Sequence, residues 1–140
     1  MKLARCVIDA SVCLKVFIAE EDSNKAIALF ADRQMLRCAP DLLLIECANV
    51  LWTKVRKGDY QVEDVVSNLQ DLLAMDTIIT PVADLLTRTF ELAHSHDISA
   101  YDACYVAFAE QLGVPLVTAD DRLAAKLQGS GHQVMTLSMI

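Results

Sequence analysis

The stretch VIDASVCLK, residues 7–15, joins the end of an apolar run to the start of a helical segment. The run is short, rich in β-branched residues and continuously apolar, which is typical of a strand buried on both faces of a parallel sheet. We therefore expect a strand over Arg5–Ile8, Asp9 where that strand ends, and a helix over Ser11–Ala19.

The same order of strand and helix continues along the chain. Further strands are expected at Leu36–Ala39, Thr77–Thr80, Val114–Ala119 and Gln133–Leu137. Further helices are expected at Ser23–Asp32, Asp41–Lys57 (with Pro40 at its start), Val62–Met75, Ala83–His96, Ala100–Leu112 and Asp121–Leu127. Alternating strands and helices predict an α/β fold, here a three-layer α/β/α arrangement around a central parallel sheet. One domain over residues 1–140 is expected, since this length is sufficient for a single core.

Composition restricts the class of protein. The chain is 54% hydrophobic, which argues against disorder, yet no apolar run is as long as a membrane span. Asp9 and Lys15 interrupt any signal-peptide core, so we predict a soluble cytoplasmic protein without membrane contact. Five cysteines without a C-x-x-C pair are interpreted as free core residues in a reducing compartment. The net charge of −7 argues against general nucleic-acid binding, unless several acids surround a bound cation.

Four carboxylates are expected to meet at one edge of the sheet. Asp9 ends the first strand, and Asp120 lies just past the strand that ends at Thr118. Asp102 lies in the first turn of the helix before that strand, and Glu46 lies early in the helix after the second strand. These positions all lie near the carboxyl ends of strands, where ligands bind in parallel sheets. Clustered carboxylates repel one another, and a hard divalent cation such as Mg²⁺ or Mn²⁺ would compensate them.

Each acid also has a purely structural interpretation. Asp102 and the serine three residues before it form a possible capping box, and Asp9 could form a turn at a strand end. Asp120 and Asp121 could both be acids at a helix start, an account that suits Asp121 better. Glu46 fits such an account least, because an unpaired carboxylate among the apolar residues around it would be costly.

Four ordered motifs resemble those of the PIN-domain family, and within it the VapC-type ribonuclease toxins. They are VIDASVCLK, LLLIECANVL (residues 42–51), SAYDACYVAFAE (residues 99–110) and LVTADDRL (residues 116–123). The resemblance spans nearly the whole chain and implies metal-dependent hydrolysis of phosphodiester bonds in RNA, with Mg²⁺ or Mn²⁺ as the cofactor.

The resemblance also implies roles for single residues. The family's acids correspond to Asp9, Glu46, Asp102 and Asp120, of which the three aspartates are expected to bind metal directly or through water. Glu46 would hold a second metal or position the attacking water.

The supporting polar positions of the family correspond to Ser11, Asn49 and Thr118. Thr118 is expected to orient Asp120, and Asn49 to orient Glu46 or contact RNA. For Ser11, phosphate binding and a plain N-cap are both open.

Two further expectations concern basic residues. Lys15 is the candidate for holding the RNA backbone. The cluster of Lys54, Arg56 and Lys57 is interpreted as a solvated helix end that complements the helix dipole.

As partners, the resemblance implies RNA, a small antitoxin seated in an apolar groove, and a second copy of the chain in a homodimer. Two alternatives keep the fold: a catalytically inactive binding module, and a nuclease of RNA processing without an antitoxin. A receiver-like domain or a haloacid-dehalogenase-type phosphatase is disfavoured. The late strands do not end in the lysine that the former needs, and Ser11 stands where the latter needs an aspartate.

Overall fold

A computed structural model describes residues 4–140 and contains one parallel sheet in that range. Its strands lie in the spatial order β3-β2-β1-β4-β5, with every neighbouring pair parallel. They are β1 (Arg5–Ile8), β2 (Leu36–Pro40), β3 (Thr77–Thr80), β4 (Leu116–Thr118) and β5 (Val134–Thr136). The predicted α/β fold with a central parallel sheet is confirmed.

Helices connect the strands along the described chain. They are α1 (Ala10–Phe17), α2 (Ser23–Ala31), α3 (Leu42–Arg56), α4 (Val62–Ala74), α5 (Leu86–His96), α6 (Ala100–Leu112) and α7 (Asp121–Lys126). Two 3₁₀ turns, Val82–Leu85 and Leu137–Met139, precede α5 and follow β5.

Burial shows that helices cover both faces of the central strand. Cys6, Val7 and Ile8 of β1 are all 0% exposed, although successive strand residues point to opposite faces. Helix α6 is buried from Ala103 to Ala109 and packs on β1, β2 and β4, so it is a central element of the core. The three-layer arrangement predicted from the sequence therefore follows from the packing.

Several predicted boundaries were wrong because of prolines. Pro40 ends β2 and pairs with Thr80, whereas it was expected to start a helix. The strand expected from Val114 begins at Leu116, because Pro115 has no N–H and contributes only its carbonyl, which accepts from the Val7 N–H at 2.9 Å. The helix expected over residues 83–96 is divided into a 3₁₀ turn and α5 at Leu85, a position without a proline.

Other boundaries differ by a few residues. Helix α1 begins at Ala10 and ends at Phe17, where Ser11–Ala19 was expected. The last strand is shorter than Gln133–Leu137 and gives way to a 3₁₀ turn at Leu137. Such shifts of helix ends and short strands do not alter which residues lie at the strand ends.

The order of the strands creates a switch point in the sheet. From β1 the chain builds outward through β2 to β3, and then returns to the other side of β1 to build β4 and β5. A crevice forms beyond the carboxyl ends of the two strands where the direction reverses, here β1 and β4. Asp9 directly follows β1, and Asp120 lies two residues past the end of β4.

Two predictions from composition can be compared with the described chain. All five cysteines are buried and free, which confirms them as core residues. No helix among residues 4–140 has the length and apolar character that crossing a lipid bilayer demands.

Candidate active site

Asp9 is the most enclosed acid of the site. It is the N-cap of α1 and only 6% exposed. Its Oδ1 accepts hydrogen bonds from the Ser11 hydroxyl at 2.5 Å and from the Val12 N–H at 3.3 Å, and its Oδ2 accepts from the Thr118 hydroxyl at 2.5 Å. Donors from two segments of the chain thus fix both carboxylate oxygens.

Ser11 supports this carboxylate. Its hydroxyl donates to Asp9 and accepts from the Ala119 N–H at 2.9 Å, which ties α1 to the end of β4. Of the two roles left open for Ser11, the plain N-cap is wrong, because Asp9 holds that position. Ser11 lines the cleft described below, but its single proton is already donated, so a contact with phosphate stays a prediction.

Thr118 links two of the acids. It is fully buried, donates to Asp9 and accepts from the Asp120 N–H at 3.0 Å. The sequence predicts its connection to Asp120 but not the one to Asp9.

The remaining acids are held by helix starts and by one aromatic residue. Asp120 is the N-cap of α7, and its Oδ1 accepts from the N–H groups of Arg122 (3.0 Å) and Leu123 (3.2 Å). Asp102 lies in the first turn of α6, where its N–H donates to the hydroxyl of the N-cap Ser99 at 3.0 Å. Both acids are half-buried.

Glu46 is held across the helix layer by Tyr105. The phenol hydroxyl donates to Glu46 Oε1 at 2.5 Å. Tyr105 lies within α6 and is only 1% exposed. This hydrogen bond fixes the carboxylate of α3 against the helix that carries Asp102.

The four acids line one cleft, which we call the acidic cleft. It has a volume of about 480 Å³, and its walls include Asp9, Glu46, Asp102, Asp120, Ser11, Lys15, Lys54 and Tyr105. The structure therefore brings together the four carboxylates that the sequence places at one rim. Asp121, next to Asp120, is exposed and lines a different pocket.

Burial and mutual repulsion raise the pKa values of three of these acids. Burial raises the pKa of Asp9 from 3.8 to about 6, although its hydrogen bonds oppose that change. Burial also raises the pKa of Glu46, with a smaller contribution from the charge of Asp102. The pKa of Asp102 is raised by burial and then by the charge of Asp120.

The oxygen-rich cleft suits a hard, partly hydrated cation. All four acids offer carboxylate oxygen, and two hydroxyls and one amide N–H donate to the carboxylate of Asp9. Among residues 4–140, no three acidic, histidine or cysteine side chains are arranged to hold a metal ion together. Mg²⁺ commonly keeps several waters and uses one or two carboxylates, so this arrangement fits an ion bound partly through water.

Two lysines line the cleft, Lys15 and Lys54. Lys15 lines the cleft, but its Nζ contacts Glu20 Oε1 at 3.2 Å and donates to the Glu21 carbonyl at 2.7 Å. Lys54 also lines the cleft, although it lies in the last turn of α3 together with Arg56, as the interpretation of a basic helix end predicts. Its spacing predicts this position in the cleft, because Lys54 is eight residues after Glu46 and so lies close to the same face of α3.

Asn49 does not line the acidic cleft with Glu46. It is exposed and lines a neighbouring groove, while Tyr105 provides the observed hydrogen bond to Glu46. The role of Tyr105 was not predicted, although a tyrosine inside a buried helix needs a partner for its hydroxyl.

Comparison with known proteins identifies the family. The family model described as PIN domain matches residues 6–127. This chain belongs to the PIN domain family. Ribonuclease VapC3 of Pyrobaculum aerophilum is 34% identical over 124 residues, which cover 87% of this chain and 94% of that relative. The resemblance to VapC-type proteins inferred from the four motifs is confirmed.

Solved structures share the fold. VapC20 of Mycobacterium tuberculosis, described as a sarcin-ricin loop cleaving toxin, has a TM-score of 0.69 at 19% identity, covering 91% of this chain and 95% of that chain. VapBC2 from Rickettsia felis, solved bound to a DNA fragment from their promoter, has a TM-score of 0.65 at 16% identity, covering 94% and 98%.

Proposed function

We propose that this protein is a metal-dependent endoribonuclease and the toxin of a toxin–antitoxin pair. The observation that carries the proposal is the convergence of four carboxylates, from four separate segments, in one cleft at the switch point of the sheet. The name of the relative from Pyrobaculum aerophilum, a VapC ribonuclease matched over most of both chains, supports RNA as the substrate.

Each acid has a defined part in the proposal. Asp9, Asp102 and Asp120 would hold Mg²⁺ or Mn²⁺, directly or through water, and Glu46 would hold a second ion or orient the attacking water. The bound cation would lower the pKa of a water and stabilise negative charge on the phosphate. Tyr105 keeps Glu46 in place, and Ser11 and Thr118 keep Asp9 in place.

Lysines would position the RNA backbone. Lys54 lines the cleft and would bind a phosphate there through its ammonium group, whereas Lys15 must first exchange its contact with Glu20. A partly exposed pair such as Lys15–Glu20 is weak, so a phosphate could replace the carboxylate.

The test is cleavage of a labelled single-stranded RNA in EDTA, Mg²⁺ and Mn²⁺. We expect cleavage with either cation and none in EDTA. Asp9→Asn and Asp120→Asn should each lose at least about a hundredfold in rate, since even a supporting partner of a metal ligand contributes about 10- to 100-fold. Asp121→Asn is the matched control, because it removes an adjacent carboxylate that lies outside the cleft.

Full cleavage by identically purified Asp9→Asn and Asp120→Asn proteins would contradict the proposal. A parent that binds RNA without cleaving it would favour the inactive binding module instead.

The partner proposals have their own test. The fold shared with the VapBC2 complex supports a small antitoxin, and a homodimer in the cytoplasm completes the proposal. Expression of this chain should arrest growth, and co-expression of a small protein from the neighbouring reading frame should restore it. Light scattering of the purified chain should give the mass of a dimer.

A further inference from the structure

A second groove adjoins the acidic cleft along α3. It has a volume of about 580 Å³, and Glu46 and Val50 line both depressions. Ile45, Trp52 and Tyr101 line it and are 66%, 54% and 61% exposed. We call it the aromatic groove.

Helical spacing places the two depressions side by side. Glu46, Val50 and Lys54 follow one another at intervals of four residues and lie toward the acidic cleft. Asn49 and Trp52, three residues apart, lie on the next stripe of the same helix. Tyr101 lies directly before Asp102 at the start of α6. A chain of nucleotides with one phosphate in the cleft would therefore pass close to the aromatic groove.

We propose that the aromatic groove binds a base of the single-stranded RNA substrate, beside the bond held in the acidic cleft. This inference rests on the proposed function. The base would stack on Trp52 or Tyr101, and the amide of Asn49 could bind its edge. Such stacking on aromatic side chains is the common way to hold single-stranded RNA.

Two cations beside the groove favour RNA as its occupant, although one of its lining residues, Glu46, is an acid. The chain carries a net charge of −7, so attraction of phosphates by the surface as a whole cannot hold RNA. Cations nevertheless lie next to the groove: the guanidinium of Arg56 is 5.6 Å from the centre of the Trp52 ring, and Lys54 lines the adjacent cleft. Aromatic faces accompanied by cations are typical of platforms for single-stranded nucleic acid.

Trp52 is the sole tryptophan of the chain, so its fluorescence reports on the groove directly. The experiment titrates the Asp120→Asn protein, which should leave RNA intact, with a short single-stranded RNA in Mg²⁺. A second titration uses an abasic oligoribonucleotide of the same length, which has the phosphates but no bases. We expect saturable quenching by the RNA and little by the abasic strand.

Variants separate stacking from general effects. By anisotropy of a labelled RNA in the same Asp120→Asn background, Trp52→Ala and Tyr101→Ala should each weaken binding about tenfold, and Trp52→Phe should bind nearly as the parent does. Phe90→Ala is the matched control, because Phe90 is a 71% exposed aromatic on α5 outside the groove. Its RNA affinity should be unchanged.

Three results would overturn the inference: no quenching by RNA, equal quenching by the abasic strand, or unchanged RNA affinity of Trp52→Ala. A Trp52→Ala protein that changes its oligomeric state while keeping its RNA affinity would assign the groove to a second copy of the chain. The inference and the proposed function fail separately. Quenching without any cleavage by the parent contradicts only the nuclease, whereas cleavage without quenching contradicts only the base site.

Discussion

Replacement of Asp9 by asparagine should change how the stability of the metal-free protein depends on pH. The pKa of Asp9 is about 6 in the folded protein against the ordinary value of 3.8 for an aspartate, because burial disfavours its charge. Between these two values the folded state binds a proton that the unfolded state does not. The free energy of unfolding of the parent should therefore rise as pH falls through this window.

The magnitude follows from the two pKa values. At about 1.4 kcal/mol per pKa unit, the gap between 3.8 and about 6 corresponds to roughly 3 kcal/mol. Asparagine does not titrate, and it remains a good N-cap for α1. Its amide also meets the hydroxyl of Thr118, but the energy of that contact is the same at every pH and cancels when pH values are compared.

The assay is urea unfolding of parent and Asp9→Asn in EDTA at several pH values from 8 to 4. The parent should gain up to about 3 kcal/mol relative to the variant over this range. Protons are shared among the acids of the cleft, so the gain belongs to the cluster. Asp121→Asn serves as the control for loss of one negative charge. A constant difference, or a parent that loses stability relative to Asp9→Asn on acidification, would refute the reasoning.

Three further predictions concern other residues that line the acidic cleft. In EDTA, Asp102→Asn should melt at a higher temperature than the parent, because burial and the charge of Asp120 raise the pKa of Asp102. Mn²⁺ should stabilise the parent more than the variant. If the variant melts lower in EDTA and gains as much from Mn²⁺ as the parent does, Asp102 has only a capping role. Tyr105→Phe should lower kcat for RNA cleavage about tenfold and shift the acid limb of the pH–rate profile to higher pH. The reason is that Glu46 loses a hydrogen bond that stabilises its charge. An unchanged pH–rate profile would contradict this prediction. Lys54→Gln should raise KM for RNA more than Lys57→Gln does, and equal KM values would contradict the placement of Lys54 in the cleft.

The strand ends were predictable because the rule behind them is topological. Once β1 and β4 are recognised as parallel neighbours, Asp9 and Asp120 must lie at the same edge, whatever the exact strand limits. The limits themselves depend on single backbone donors and could not be derived as easily. Pro115 resembles part of an apolar strand, yet it lacks the N–H that a ladder position requires.

Contacts between distant segments were beyond the sequence. The hydroxyl of Thr118 meets Asp9 across 109 positions, and that of Tyr105 meets Glu46 across 59. Predicting either contact requires the relative orientation of the packed elements, which hydrophobic periodicity does not provide. A polar hydroxyl at a buried position does predict that some partner exists, and a pair of helices with one tyrosine and one glutamate leaves few choices.

The structural interpretations of the acids and their proposed metal-binding role are compatible. Asp120 caps α7, as a helix-start acid should, and the N–H of Asp102 donates to the cap residue of α6, which is one of the two hydrogen bonds of a capping box. Asp9, which was expected to form a turn, is the N-cap of α1. All three acids nevertheless face the acidic cleft. Helix starts at strand ends are the places where a short acidic side chain is fixed by backbone N–H groups and also points to the edge of a parallel sheet. Asparagine preserves most of the capping and removes the charge. A loss of metal binding in Asp-to-Asn variants that still fold would therefore assign the lost affinity to the charge and not to the helix start.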